Sequence, residues 1–394
     1  MTVGFLDGVV ASKEILVICG SGGVGKTSVA AAIALGAASR IGGKVLVVTI
    51  DPAKRLASAL GLEEIGNAES RVPDSAFIDA GLTPRGELWV AMLDMKESWD
   101  SLVLRHAPDE ETAQKILGNR LYDNITSRFV QSHDYIAMER LFEIHATGTY
   151  DLIVIDTPPT RNALDFLEAP HRMAEFFGGR LLRWLTAPYR AGGGRGARLV
   201  NFASKPFYQV ADRILGTQFL QDIAEFFLNF QSMYDGFVTR AQVVERLLHD
   251  RRTSFVVVTT LESAPLREAE IFCGELAKRG FPCGALVLNK TLPASFIATA
   301  GTEVAASLIA GAPRLADALV ATGNSALTDT AINERVLRTV GESFRNFSVV
   351  AARESELRIE LQTWVKGELV DVPSLEDDVH DLRGLAQIAN HLFA

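Results

Sequence analysis

The chain has 394 residues, 48% of them hydrophobic, and a formal net charge of −9. That is enough apolar chain for a large core, and length alone allows about two or three domains. The acidic balance excludes nonspecific nucleic-acid binding, which needs a basic face.

The N-terminal segment 1–8 has no basic region and no apolar core, so it does not read as a secretory signal. The first predicted strand is the apolar run Ile15–Cys19. Gly20-Ser-Gly-Gly-Val-Gly-Lys-Thr27 follows, and then the apolar stretch Val29–Leu35. The order is strand, glycine loop, helix. Such a loop ends at a helix N-terminus, where free backbone N–H groups and the helix dipole favour an anion. Gly20, Gly22, Gly23 and Gly25 let the backbone close around phosphate oxygens. Lys26 reaches the β/γ-phosphates and the Thr27 hydroxyl ligates Mg²⁺. The nucleotide-binding set expected here is Gly20, Ser21, Gly22, Gly23, Val24, Gly25, Lys26, Thr27 and Ser28.

Further β-branched runs occur at Val45–Ile50, Leu88–Leu93, Leu152–Ile155, Phe255–Thr260 and Ala285–Leu288, with helical segments between them. This alternation predicts an α/β fold: a doubly wound, mainly parallel sheet with helices on both faces. Ligands then bind at the carboxyl ends of the strands. Two acids stand there, Asp51 after the second run and Asp156 after the fourth. Beside a phosphate loop, such carboxylates are placed to act on Mg²⁺ or on water; otherwise each caps the helix that follows.

Two insertions interrupt the alternation, about 96–149 and 170–252, and both read as mainly helical. In the first, Tyr135–Ile144 is amphipathic. In the second, Phe219, Ile223, Phe226, Phe230, Met233 and Phe237 step by four and three, with Phe227, Tyr234 and Val238 widening the stripe. The stripe is either a helix packed onto the core or a groove for an apolar partner helix. The segment 180–198 holds five arginines, Trp184, Tyr189 and no acid. It is either a solvated loop or a contact to an anionic membrane surface or partner. No uncharged apolar run reaches membrane-spanning length; 294–312 comes near it and carries Glu303. The cysteines Cys19, Cys273 and Cys283 form no C-x-x-C and fit a reducing cytosol.

The glycine loop, the segment Asp51-Pro-Ala-Lys-Arg55 and the segment Asp156-Thr-Pro-Pro-Thr160 together resemble three motifs of the ArsA ATPase family. That family includes arsenite-pump ATPases and ATPases that target tail-anchored membrane proteins. The resemblance extends through Asn162–Leu167 and Phe255–Asn289, and more weakly through Val372–Leu385. It implies one P-loop ATPase unit over 1–394, with a helical subdomain built from the insertions. It implies ATP and Mg²⁺ as cofactors, ATP hydrolysis, a dimer and a cytoplasmic location, in some members at the membrane periphery. Carried over residue by residue, Lys26 binds phosphate, Thr27 and Asp156 hold Mg²⁺, and Asp51 orients the attacking water. Asn289 resembles the adenine-recognising asparagine, and Glu262 an acid near the nucleotide at the dimer interface. One departure stands out. The family's loop begins Gly-Lys-Gly-Gly, and that lysine crosses the dimer to neutralise charge in the partner's site. Here the position is Ser21. The expectation is a homodimer, or a heterodimer in which a paralogous ATPase supplies the missing lysine. A hydrophobic helical client or a membrane surface is the expected partner of the helical insertions. The zinc-binding C-x-x-C of targeting members is absent from the sequence.

Overall fold

A computed structural model describes residues 5–50, 55–60, 62, 65–119, 121–122, 130–157, 217–364 and 367–394. Its centre is an eight-stranded sheet in the order β3-β4-β2-β5-β1-β6-β7-β8. In chain order the strands are β1 (Ile15–Cys19), β2 (Gly43–Thr49), β3 (Ser70–Arg71), β4 (Gly86–Met92), β5 (Leu152–Asp156), β6 (Thr253–Thr259), β7 (Cys283–Thr291) and β8 (Glu368–Pro373). All neighbours pair in parallel except β3 and β4. The six strands read from sequence are present. The short antiparallel β3 and the edge strand β8 are additions to that reading.

The central strands are apolar without alternation because both faces of the sheet are covered. Leu16, Ile18, Val45, Val47, Val256 and Val258 point into one layer. That layer is closed by α1 (Phe5–Ser12), α2 (Lys26–Gly36), α3 (Arg55–Ala59), α4 (Asp74–Asp79) and the C-terminal helix Leu382–Leu392. Ile15, Val17, Leu46, Val48, Phe255 and Val257 point the other way. In the N-terminal half of α2, Ala30–Ala32 are fully packed and small, so the helix lies close to the sheet. At its C-terminal end, a Cβ on Gly36 would lie 2.2 Å from the Phe393 ring, so the C-terminus and α2 require each other.

A third core is helical. It joins α5 (Met95–His106), α6 (Glu110–Leu117), α7 (Val130–Ala146) and α8 (Thr217–His249). Trp99, Ile116, Tyr122 and Ile136 meet Phe226, Phe230 and Met233 of the phenylalanine stripe. The Phe226 and Phe230 rings stack at 5.5 Å, and Trp99 lies 6.2 Å from Phe230. The described members of the stripe are therefore packed, which favours the core reading over the groove. The side chains of Phe219, Tyr234, Phe237 and Val238 lie outside the described residues, as does the arginine-rich segment 180–198.

Within this helical core Glu139 is 1% exposed and ion-paired to Arg240 of α8. Breaking one partner of a buried pair strands the other charge. Arg240→Met is expected to lower stability by about 3–5 kcal/mol in urea unfolding. A midpoint equal to wild type would contradict that role.

After β7 the chain leaves the sheet as a hairpin of two long helices, α10 (Thr299–Ala321) and α11 (Thr330–Trp364); α9 (Ser263–Arg279) precedes β7. Gly341 seats against Ile309 and Ala305, and Gly301 against Phe344, so small residues let the two helices approach. Ile332, Val336, Val340, Phe347 and Val350 form an exposed stripe along α11. Among the described residues α10 is the one helix long and apolar enough to cross a membrane. Only 17% of its most apolar stretch is buried in the fold.

Candidate functional site

The parallel strands bring their carboxyl ends to one edge, and the glycine loop rises there from β1. Gly20 has φ +153°, and a Cβ on it would stand 2.2 Å from the Val258 carbonyl oxygen of β6. Gly25 has φ +94° and caps α2; its Cβ would stand 2.3 Å from Asn289 Nδ2. Only glycine fits either position without displacing backbone or a buried amide. Gly25 carries no side-chain cap, and the first α2 backbone bond runs from Val29 N–H to the Gly25 carbonyl. The amides of Lys26, Thr27 and Ser28 therefore open the helix without helical acceptors, as helix N-termini do.

Lys26 is 6% exposed, and its Nζ donates to the Ser21 carbonyl at 2.8 Å. The ammonium folds back over the loop it belongs to. Thr27 Oγ1 donates to Asp156 Oδ2 at 2.7 Å, and Thr49 Oγ1 donates to the same oxygen at 2.9 Å. Asp156 ends β5 between Ile18 of β1 and Thr49 of β2, and it is 1% exposed. Thr157 Oγ1 ties the next residue to the Ile18 carbonyl at 2.8 Å. The buried Oγ of Ser21 and Oγ1 of Thr260, just past β6, have no hydrogen-bond partner among the described residues.

Asn289 on β7 is buried and donates from Nδ2 to the Val24 carbonyl at 2.8 Å. It thereby fastens the second half of the sheet to the glycine loop. Asn289→Ala removes the donor and leaves a buried carbonyl, which is expected to cost about 1–2 kcal/mol in chemical denaturation. An unchanged midpoint would mean that the bond holds nothing in place.

The geometry thus brings together Gly20–Ser28, Asp156 and Asn289. Glu262 is exposed at the N-cap of α9, with no capping bond from its side chain. Asp51 and Lys54 lie outside the described residues, and the side chain of Arg55 is not described either. Ile50 N–H donates to the Asp156 carbonyl at 3.3 Å, so the end of β2 reaches Asp156. Thr49, Thr157 and Thr260 were not singled out from sequence. Their only signal there is a hydroxyl at the end of an apolar run.

The residues fit ATP and Mg²⁺. Backbone amides and one ammonium suit phosphate oxygens, and a threonine hydroxyl beside a carboxylate supplies the hard oxygen donors that Mg²⁺ takes. Beside this cradle, past the ends of β7 and β8, lies a cavity of about 860 Å³ lined by Thr291, Pro293, Arg358, Asp371, Ser374 and His380 among others. Ser374 N–H donates to the Thr291 carbonyl at 2.9 Å, which joins the two strand ends. Burial pushes the Asp371 carboxyl above its ordinary range, and its ion pair with Arg358 opposes the rise.

A family model described as anion-transporting ATPase, ArsA_ATPase, matches residues 13–301, well over half of the chain. The chain is 30% identical over 161 residues to a Prosthecochloris vibrioformis protein named by inference as an arsenical pump-driving ATPase. That match covers 41% of this chain and 36% of the relative. A Streptomyces coelicolor protein described as uncharacterized is 31% identical over 159 residues, covering 40% and 37%. An Aquifex aeolicus protein, also named by inference as an arsenical pump-driving ATPase, is 25% identical over 282 residues, covering 70% and 79%. The chain thus spans little more than a third of the length of the first two relatives and about four fifths of the third.

Proposed function

The chain belongs to the ArsA anion-transporting ATPase family, and from that membership we propose that it is a Mg²⁺-dependent ATPase whose nucleotide cycle drives a conformational switch in a dimer. The observation that carries this is the Thr27–Asp156 hydrogen bond beside Lys26 at the start of α2. In this reading Lys26 and the amides of the glycine loop bind and orient the phosphates. Thr27 and Asp156 hold Mg²⁺, which when bound neutralises phosphate charge. Asp51 orients water, Asn289 recognises the base while bracing Val24, and Glu262 lies near the dimer face. Binding closes the dimer, and the helices of 96–149 and 170–252 move with it.

Ser21 supports a finer reading. A serine cannot deliver positive charge across a dimer interface, and its buried Oγ has no partner among the described residues. A paralogous subunit that retains the lysine would complete this site and receive nothing back. The same residue favours a second reading, a regulatory subunit that binds ATP without turning it over. Phosphate release by the purified chain, alone and mixed with its paralogue, separates the two. Slow turnover by the chain alone that rises steeply in the mixture supports the heterodimer. Full turnover alone contradicts it, and none in either case supports the regulatory subunit.

A cytoplasmic location, peripheral at the membrane, and a hydrophobic client complete the proposal. The exposed α11 stripe of Ile332, Val336, Val340, Phe347 and Val350 supports an apolar partner. Arsenite-driven activity draws no support from Cys19, which lies inside β1 with its thiol pushed up to about 12 by burial.

A further inference from the structure

The α10–α11 hairpin keeps its apolar side chains on one face and its charges on the other. Arg338 reaches α10 at Ile309, Gly341 at Ala305 and Phe344 at Gly301, so the two helices run antiparallel and Gly341 and Phe344 mark the seam. Successive helix residues turn by about 100°. In an antiparallel pair, the residue before each seam position therefore falls on the same face of both helices. On α11 that row is Ile332, Val336, Val340, Phe347 and Val350, and on α10 it includes Val304; each is 48–59% exposed. Between Ile332 and Val350 the row holds one polar residue, Ser343, and no charge. One position after the seam row, on the opposite face, Glu334 and Arg338 pair at 2.8 Å. The hairpin is tied down at its root. Glu354 accepts the Leu292 N–H at 2.8 Å, and Arg358 is ion-paired to Asp371 of β8. Leu292 follows the carboxyl end of β7, so the hairpin leaves from the edge that carries the glycine loop.

We propose that the apolar face of the hairpin is covered by the same face of a second copy of this chain. Two hairpins then stack into a four-helix joint that holds two chains together without nucleotide. Three features select a copy. The first is spacing. From Val336 through Val340 and Ser343 to Phe347 the steps are four, three and four, which read the same from either end. A two-fold axis needs that property, because residue i must meet j where j meets i. An antiparallel copy sets Val336 against Phe347, Val340 against Ser343, and Ile332 near Val350. The second is charge. A face without charged residues meets itself with no like-charge contact, while the Glu334–Arg338 pair stays on the outer side. The third is area. The six apolar side chains expose on the order of 500–600 Å², and two such faces together clear the ~1,000 Å² of a specific interface. This joint lies outside the loop-to-loop closure of the proposed function and stands without ATP turnover.

Light scattering of the full, nucleotide-free chain at tens of micromolar tests the joint. The mass should be twice the 42.7 kDa of one chain. Val336→Glu combined with Val340→Glu should weaken the dimer by about a hundredfold or more and return the single-chain mass. Both positions are already exposed, so the circular dichroism spectrum should not change. Val349→Glu, on the charged face and 69% exposed, should leave the dimer intact. Chains carrying Val336→Cys, mixed with chains carrying Phe347→Cys, should form a disulfide between those positions under mild oxidant, and neither should alone. Lys26→Ala should keep the doubled mass, so failure of the phosphate site and failure of this joint read separately. A single-chain mass throughout, a dimer untouched by the double substitution, or a dimer seen only with ATP would each overturn the proposal. Single chains that cosediment with phospholipid vesicles would give the face to a membrane and overturn it as well.

Discussion

Lys26→Ala is expected to lower ATP turnover by about 10²–10³-fold. Lys26 is the one side-chain cation that the described residues place within the glycine loop, and it stands at the first position of α2. Its Nζ donates to the Ser21 carbonyl, so the ammonium is held over the loop before any phosphate arrives. Preorganised charge of this kind acts without reorganisation at the moment of reaction. The fold should survive the substitution. The packing of α2 rests on Val29–Leu35, and the loop is braced independently by Asn289 on Val24. Phosphate release measured beside a thermal melt checks both halves. Turnover within a factor of about ten of wild type, at an unchanged melting temperature, would remove Lys26 from the chemistry.

Ser21→Lys is expected to act in the opposite direction. A cation supplied across an interface to a transferring phosphoryl group is worth about 10³–10⁵ in rate. The isolated wild-type chain should therefore turn over slowly, and Ser21→Lys should raise its rate by about 10³-fold or more wherever two copies meet at their loops. Gly22 and Gly23, next to Ser21 on the loop, are exposed. A rate that ignores the substitution, in a chain already fully active alone, would contradict the missing-charge reading. A local rival is that Lys54 or Arg55 supplies the charge. Under it, Lys54→Ala or Arg55→Ala abolishes turnover and spares ATP affinity.

The phosphate cradle was legible because its geometry is written in consecutive residues. An apolar strand, four glycines and a lysine-threonine pair leave the backbone few other arrangements. Asp156 was legible for a related reason, since a carboxylate ends a strand buried on both faces. Thr49 was not. It lies inside the run Val45–Ile50 like many sheet threonines, and only the β2–β5 register sets its hydroxyl on the Asp156 carboxylate. Asn289 was marked for base recognition by resemblance, but its bond to Val24 needs the crossover from β6 to β7. The α10–α11 hairpin was missed because its stripe on α11 alternates with charges and α10 reads as a near-spanning apolar run. Helical period alone does not say which face is covered. The cysteines looked scattered for the same reason: a one-residue bulge, invisible in sequence, turns Cys283 into the apolar layer against which α9 packs.

The central claim is that this chain's own Lys26, Thr27 and Asp156 form a competent Mg²⁺-ATP site. Single-turnover hydrolysis, with purified chain in excess over ATP and Mg²⁺ present, tests it most directly. The account predicts slow but complete conversion to ADP and phosphate, lost in Lys26→Ala and faster with Ser21→Lys. ATP recovered intact from the wild-type chain, with or without the paralogue, would contradict it.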